Sequence, residues 1–447
     1  MATGDFLDRI ITHLPEIEGP KGKLGFKQKL TWTLTILILY LFLGLIPLYG
    51  LGGNALAQFE FLSTVLGASF GSLISLGIGP IVTASIVLQL LNGAGIIRFD
   101  LTSHEGKRRY QGVQKLLALA FVLIEGWVYV QLGGLSPMVG IPPWLLILQI
   151  FLGGILVMFM DEVVSKWGFG SGISLFIAAG VSQGIFIQLF SPFKSGVAGE
   201  GVQYSAGRVW QVFQAVGAGD MTTASIAALT IVATFAIFLI AVYTQAMKVE
   251  IPLSFARVRG HGIRWPLAFF YTSNIPVILT AALLANIQII ASLVGGNWST
   301  SLAGWVTPNN LVQLGVAGGI TPLVLAQAFT YIMLFVVLSV VFAMFWVQTA
   351  GLDARSQANQ IMRSGLQIPG FRKDPRVLER MLERYIWPLT VLGAIAVGLV
   401  ASLADLTGAL GSGTGILLTV MIVYRMYMDI AQQHMMDVPG MRKMMGG

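Results

Sequence analysis

The 447-residue sequence has no cysteine and very few charges. The missing thiols exclude a disulfide framework, a thiolate metal site and a cysteine nucleophile. Asp, Glu, Lys and Arg make up 11% of the chain, against about 25% in soluble domains, while 55% of it is hydrophobic. So few charges cannot coat a water-soluble surface, which removes disordered chains, secreted scaffolds and ordinary cytosolic enzymes from consideration. The four histidines, His13, His104, His261 and His434, fall in the polar segments between apolar runs. There is no H-E-x-x-H and no G-x-x-x-x-G-K-[ST], so neither an intramembrane zinc protease nor a built-in nucleotide motor is expected.

What the chain does have is long apolar runs. A bilayer core of about 30 Å takes about 20 residues of helix. Ten runs of suitable length lie near 30–49, 76–97, 113–132, 144–160, 172–190, 221–246, 267–294, 322–349, 386–404 and 409–428. The expected fold class is an all-α polytopic membrane protein with ten transmembrane helices. The first run is not a cleavable signal peptide, because 29 residues precede it and no small-residue cleavage site follows.

Charge placement sets the orientation. Of 27 Lys and Arg, 25 fall in segments on one side of this ten-span layout; only Lys194 and Arg208 fall on the other. The positive-inside rule then puts both termini in the cytosol of a multi-pass cell-membrane protein. Phe6, Leu7, Ile10, Ile11 and Leu14 have helical spacing, which predicts an amphipathic surface helix before Pro15. The resulting organisation is a cytosolic segment 1–29, a first five-helix half 30–193, an external connection 194–220, a second half 221–429 with cytosolic loops 247–266 and 350–385, and a cytosolic tail 430–447. Five spans per half make the halves inverted relative to each other. The openings Gly170-Ser171-Gly172-Ile173 and Gly411-Ser412-Gly413-Thr414 are either a trace of that repeat or a coincidence in a glycine-rich chain.

Convergent catalytic groups are not evident. Gly168-Phe169-Gly170-Ser171-Gly172 looks superficially like an intramembrane serine protease motif, but Phe169 stands where glycine is wanted and no membrane histidine is available as base. Glu125 is the one clear acid inside a span; Asp405, Asp161, Glu162 and Glu250 lie between spans or at their ends. Glu125 is either a proton relay or a structural hydrogen-bonding group, and a relay usually needs a second titratable partner. An ion-coupled secondary transporter of a small solute is therefore the rival reading: it fits ten spans in inverted halves but lacks midplane charge.

Between the first two spans, residues 56–71 are too apolar for a solvated loop and, at about 24 Å of helix, too short to cross. They suit a re-entrant half-helix or a helix lying on the outer interface. Gly77, Gly79 and Pro80 follow and permit a hinge. Ile78 and Val82 share a helix face, as do Ile173 and Ile177. The basic loop that includes Arg257 and Arg259, and the longer one that includes Arg372 and Lys373, suit a polyanion such as RNA or anionic headgroups.

Six separated motifs, in order, are similar to those of one family. They are Leu76-Gly77-Ile78-Gly79-Pro80-Ile81-Val82-Thr83-Ala84, Asp161-Glu162-Val163-Val164-Ser165-Lys166-Trp167-Gly168 running into Gly170-Ser171-Gly172-Ile173, Val249-Glu250-Ile251-Pro252-Leu253, Ser273-Asn274-Ile275-Pro276-Val277-Ile278-Leu279, Gly370-Phe371-Arg372, and Gly413-Thr414-Gly415-Ile416-Leu417-Leu418. The sequence resembles the SecY / Sec translocon alpha-subunit family of protein-conducting channels, in its archaeal form, over nearly the whole chain.

The resemblance implies an hourglass channel that passes unfolded secretory chains and releases transmembrane segments into lipid. It implies a pore ring of Ile78, Val82, Ile173, Ile177, Ile278 and Leu418, with the half-helix 56–71 as a plug. It implies a lateral gate carrying Thr83, Glu125 and Asn286, and ribosome contacts at Arg257, Arg259, Arg372 and Lys373. The implied partners are a SecE-like gamma subunit and a small beta subunit, the ribosome with its RNA, signal-sequence-bearing nascent chains and membrane lipid. No cofactor and no catalytic residue is implied. The fifth–sixth and seventh–eighth connections depart from the family pattern.

Overall fold

The computed structural model describes residues 14–22, 24–56, 66–93, 96–97, 99, 103–193, 204–255, 262–269, 271–272, 275–294, 296–363, 366–367 and 375–437. The first half contains α1 (Phe26–Leu43), α2 (Gly79–Gly93), α3 (His104–Gln131), α4 (Pro143–Trp167) and α5 (Gly172–Phe190). A short amphipathic helix, α6 (Arg208–Ala218), leads into the second half. That half contains α7 (Met221–Ala246), α8 (Ile275–Val294), α9 (Asn297–Val306), α10 (Leu311–Val316), α11 (Pro322–Thr349), α12 (Ala354–Arg363), α13 (Pro375–Leu406) and α14 (Gly413–Asp437). Among the described residues nine helices are long and apolar enough to cross a bilayer. The tenth expected span is α2, apolar but only 15 residues long.

The ends of the helices differ from the hydropathy reading where backbone chemistry intervenes. α1 stops at Leu43, and the chain turns through Gly44, Pro47 and Gly50, the last at φ +79°. The Pro47–Ser72 bridge then draws this turn against the segment before α2. The seventh span starts at Ile275, because the first residues of the expected run, up to Ala268, belong to a strand. α13 starts at Pro375, so the expected loop 350–385 is largely α12 and the first turns of α13.

The two basic connections are joined. Strand β3 (Lys248–Phe255) pairs antiparallel with β4 (Gly262–Ala268), and its far end pairs with β5 (Leu366–Gln367) through Ser254–Gln367 and Phe255–Leu366. Beneath them lies a separate apolar cluster. Leu378, Leu382, Ile386 and Leu389 recur at helical spacing along α13 and pack with Leu267, Val347, Ala358 and Ile361. The Tyr271 hydroxyl donates to the Leu352 carbonyl at 2.6 Å, tying the β4–α8 link to this platform.

The main core runs through both halves. α2 packs on α3, α8 packs on α11, and α2 meets both α8 and α11 across the line between halves. On the opposite side α14 packs against α5 and α7. A short ribbon of β1 (Leu51–Asn54) and β2 (Leu135–Pro137) joins the connections at one end of the first half. At the other end of that half, Lys115, Glu162, Lys166 and Glu16 form a chain of ion pairs at 2.7–2.9 Å that straps segment 14–18 onto α3 and α4.

Several expected features lie outside the described residues: the surface helix 6–13, residues 57–65 of the expected half-helix, and Arg257, Arg259, Arg372, Lys373 and Lys194. The described end of the half-helix segment, Leu66–Gly71, is a turn, with Gly67 at φ +53° and Gly71 at φ +91°.

Candidate functional site: a constriction beneath a polar funnel

A cavity of about 560 Å³ opens among the ends of α2, α3, α5, α8, α11 and α14. Along α2 its wall is Val82, Ser85 and Gln89, spaced as one helix face, so the cavity deepens from Gln89 to Val82. Along α14 the corresponding face is Asp429, Arg425 and Ile422, with Leu418 one turn further in. α5 contributes Ile173, and α8 contributes Ile275 and Ile278, from their first turns. All these ends belong to the side carrying the basic connections. The mouth is polar, and Gln114 Nε2 donates to Ser85 Oγ at 2.6 Å within its wall.

The inner end is apolar. Ile78, Val82, Ile177, Ile278 and Leu418 are buried in one cluster, and Ile173 is partly buried against it. Three of the six, Val82, Ile173 and Ile278, face the cavity. On its far side the chain leaving the half-helix segment presses against the start of α2. Ile78 N–H donates to the Leu66 carbonyl at 2.9 Å. Gly77 takes φ +54°, and any Cβ there would run into the carbonyls of Leu66 and Gly67. Gly67 in turn lies against Tyr40 and Phe176, whose rings stack at 4.2 Å. The turn at 66–68 is thus seated on α1, α5 and α2 together.

Thr83, Glu125 and Asn286, far apart in sequence, come together where α2, α3 and α8 meet. Asn286 Nδ2 donates to Thr83 Oγ1 at 2.9 Å. The Thr83 hydroxyl lies 2.9 Å from both Glu125 Oε1 and the Gly79 carbonyl, and has one proton to give. The second carboxylate oxygen of Glu125 is buried, faces Gly79 and has no hydrogen-bond partner among the described residues. Of the expected hinge residues, Gly79 and Pro80 form the first turn of α2, and Gly77 is the left-handed residue before it.

Two further acids join the walls of the site, and sequence reasoning assigns neither a function. Asp161 Oδ1 accepts from Ile173 N–H at 2.9 Å. Asp405 accepts from Thr414 N–H at 2.7 Å, from the Tyr331 hydroxyl at 2.8 Å and from the Thr414 hydroxyl. The placement of both beside glycine-rich helix openings is a signal the sequence does carry; nothing in it points to Tyr331.

Comparison with known proteins gives consistent matches. A family model for SecY matches residues 72–427, and one for the plug domain of Sec61p matches residues 38–71. A protein translocase subunit SecY of Methanothermobacter thermautotrophicus is 45% identical, over 97% of this chain and 97% of the relative. That of Pyrococcus furiosus is 41% identical over the full length of both. A solved structure of a protein conducting channel superposes with TM-score 0.85 at 39% identity, covering 97% of this chain and 98% of that one. Sec61 in a canine ribosome–channel complex from the endoplasmic reticulum gives TM-score 0.81 at 38% identity, with the same coverage.

Proposed function

This chain belongs to the SecY family, and we propose that it is the pore-forming subunit of a protein translocase, conducting unfolded polypeptides through the constriction and releasing apolar segments sideways into lipid. It is a membrane channel subunit of transport type rather than a member of a catalytic family. The observation that carries the reading is the polar funnel ending on Val82, Ile173 and Ile278, with the Leu66–Ala68 turn packed against Gly77 and Ile78 beyond it.

The physical roles follow from the side chains. Six aliphatic residues from α2, its preceding turn, α5, α8 and α14 give a moving chain nothing to hydrogen-bond, so it is not held. When no chain is present they pack on one another and exclude water, and a dewetted constriction opposes ion flow. The seam between α2–α3 and α8–α11 is the exit to lipid, and Thr83, Glu125 and Asn286 hold it shut until an apolar helix takes their place. Segment 56–71 acts as the plug.

The basic side is read as cytosolic, with both termini there, in a cell membrane. Arg257, Arg259, Arg372 and Lys373 on the joined connections are assigned to the ribosome and its RNA, and a structural relative was solved in such a complex. Binding through phosphates weakens steeply as salt rises. An apolar groove between α5, α7 and α14, lined by Phe186, Phe190, Phe238 and Val420, suits the span of a SecE-like subunit. A small beta subunit completes the heterotrimer.

Because the chain has no native cysteine, a single introduced thiol reports unambiguously. Ile278→Cys is expected to form a disulfide with a ribosome-arrested secretory chain carrying one cysteine midway along its length. Leu403→Cys, on the exposed face of α13, is expected not to. Equal crosslinking at both, or none at Ile278→Cys with the ribosome engaged, overturns the ring assignment and returns solute transport to contention.

A further inference from the structure

Two corners of the fold, one at each membrane face, are built alike. At the first, α4 turns into α5; at the second, α13 turns into α14. In each, the incoming helix ends near an aspartate, the outgoing helix begins with glycine, and the N–H of its second residue is bound by the Oδ1 of that aspartate. The pairs are Asp161 with Ile173, at 2.9 Å, and Asp405 with Thr414, at 2.7 Å. The glycine is required by contact rather than by backbone angle. A Cβ on Gly172 would lie 2.5 Å from Asp161 Cα, and one on Gly413 would run into the Ala404 carbonyl.

The first N–H groups of any helix have no intrahelical acceptor. The N-cap serine usually provides one. At α5 it does not: Ser171 makes no capping bond, and the acceptor arrives from α4 instead. At α14 the N-cap Ser412 does bind Gly415 N–H, at 2.8 Å, so Asp405 is an added fastening. It also collects the Tyr331 hydroxyl from α11.

These helices carry half of the constriction. Ile173 is itself the pinned residue of α5, and Ile177 is one turn beyond it. Leu418 stands in the same relation to Thr414. A helix that slips by one residue rotates by about 100° and advances about 1.5 Å, enough to carry a ring side chain off the axis.

We propose that Asp161 and Asp405 are positioning residues for the channel, their carboxylates fixing the rotation of α5 and α14 so that Ile173, Ile177 and Leu418 stay turned into the constriction. The proposal rests on the ring assignment above. It adds that two groups outside the pore set the pore's shape, by the same device at opposite faces.

The test uses the full chain with its partner subunits in proteoliposomes and the ribosome-arrested client. Single cysteines are placed at Ile177, on a pinned helix, and at Ile278, on α8, which neither acid touches. The measurement is the ratio of client crosslinking at the two positions, with and without a change at Asp161. Asp161→Ala is expected to lower the Ile177-to-Ile278 ratio about fivefold, the population shift that one net hydrogen bond supports. Asp161→Asn keeps an oxygen for the Ile173 N–H and is expected to restore the ratio, which a loss of charge or general loosening would not predict. Asp405→Ala with a cysteine at Leu418 should behave in parallel. Asp405 is sealed inside the protein and its loss threatens folding, so Asp161, at the more accessible corner, is decisive. An unchanged ratio in Asp161→Ala, with both cysteines crosslinking, overturns the proposal and leaves the ring intact. Absence of crosslinks at both positions in the unsubstituted background overturns the ring assignment, and the proposal with it.

Discussion

In the function proposed above, the constriction and the lateral seam close the same channel by opposite chemistry. At the constriction six aliphatic side chains come together, and the hydrogen bonds at the ring residues, such as Ile78 N–H to Leu66 O and Ile173 N–H to Asp161 Oδ1, are made by their backbones and not by the side chains that form the collar. At the seam three polar side chains meet inside an apolar surround. Apolar contact is non-directional and tolerates many arrangements, which suits a collar that adapts to any passing sequence. Hydrogen bonds have defined geometry, and breaking one leaves a group in need of a partner, which suits a contact that is either closed or open. The difference separates two tasks: sealing without gripping, and holding until displaced.

The comparison breaks most completely if the constriction is given the seam's chemistry. Ile278→Asp puts a carboxylate into the apolar cluster with no cation beside it, and a buried unpaired charge costs several kcal/mol. The ring is expected to admit water instead, raising small-ion conductance in planar bilayers by a larger margin than any single change at the seam. Next comes the turn on the far side of the ring. Gly77→Ala adds a Cβ against the Leu66 and Gly67 carbonyls at a residue with φ +54°. The left-handed backbone alone costs about 1–2 kcal/mol for a non-glycine residue, and the clash adds to it. The 66–68 turn should lift, and ion leak should rise with the seam still closed, as read by nitroxide pairs at Trp127 on α3 and Ile290 on α8, both exposed and at one level of the seam.

Much of this was legible from residue order, and the reasons differ by region. Ten apolar runs and their charge asymmetry follow from the bilayer's demands, which act on composition. The grouping of Thr83, Glu125 and Asn286 follows from the family resemblance and from no periodicity: no spacing rule joins Thr83 to Asn286, 203 residues on, and the two meet through one 2.9 Å bond. Hydropathy misjudged the helix ends. Near the interface, proline, left-handed glycines and amphipathic turns decide where a helix stops, as in the α13 stretch before Tyr385, which serves the platform rather than the membrane. The pairing of β3 with β5 is tertiary, and a two-residue strand leaves no periodicity to read.

The seam sharpens the comparison further. Thr83→Val removes the bond from Asn286 and also leaves Glu125 Oε1 without its donor. Orphaned buried groups cost about 1–3 kcal/mol each. Part of that cost falls inside the α2–α3 pair, whether the seam is open or shut, so the gain in open population should be smaller than the loss in overall stability. Thermal unfolding and the Trp127–Ile290 nitroxide distance, measured together, separate the two.

Asn286→Leu should have the smallest effect and be the most specific. Of the three side chains only Asn286 comes from the second half, so its bond to Thr83 is the one polar contact among them that crosses the seam. When α8 moves away, the Thr83 hydroxyl keeps Glu125 or the Gly79 carbonyl as an acceptor, and the α2–α3 side is no worse satisfied than before. Opening therefore forfeits about one net hydrogen bond, of order 1 kcal/mol, and Asn286→Leu removes that amount from the closed state alone. The nitroxide distance should shift toward the open form by about fivefold in population, with ion leak through the empty ring unchanged. If leak rose in step with seam opening, the constriction and the seam would be one mechanical unit, and the division of labour between apolar seal and polar latch would fail.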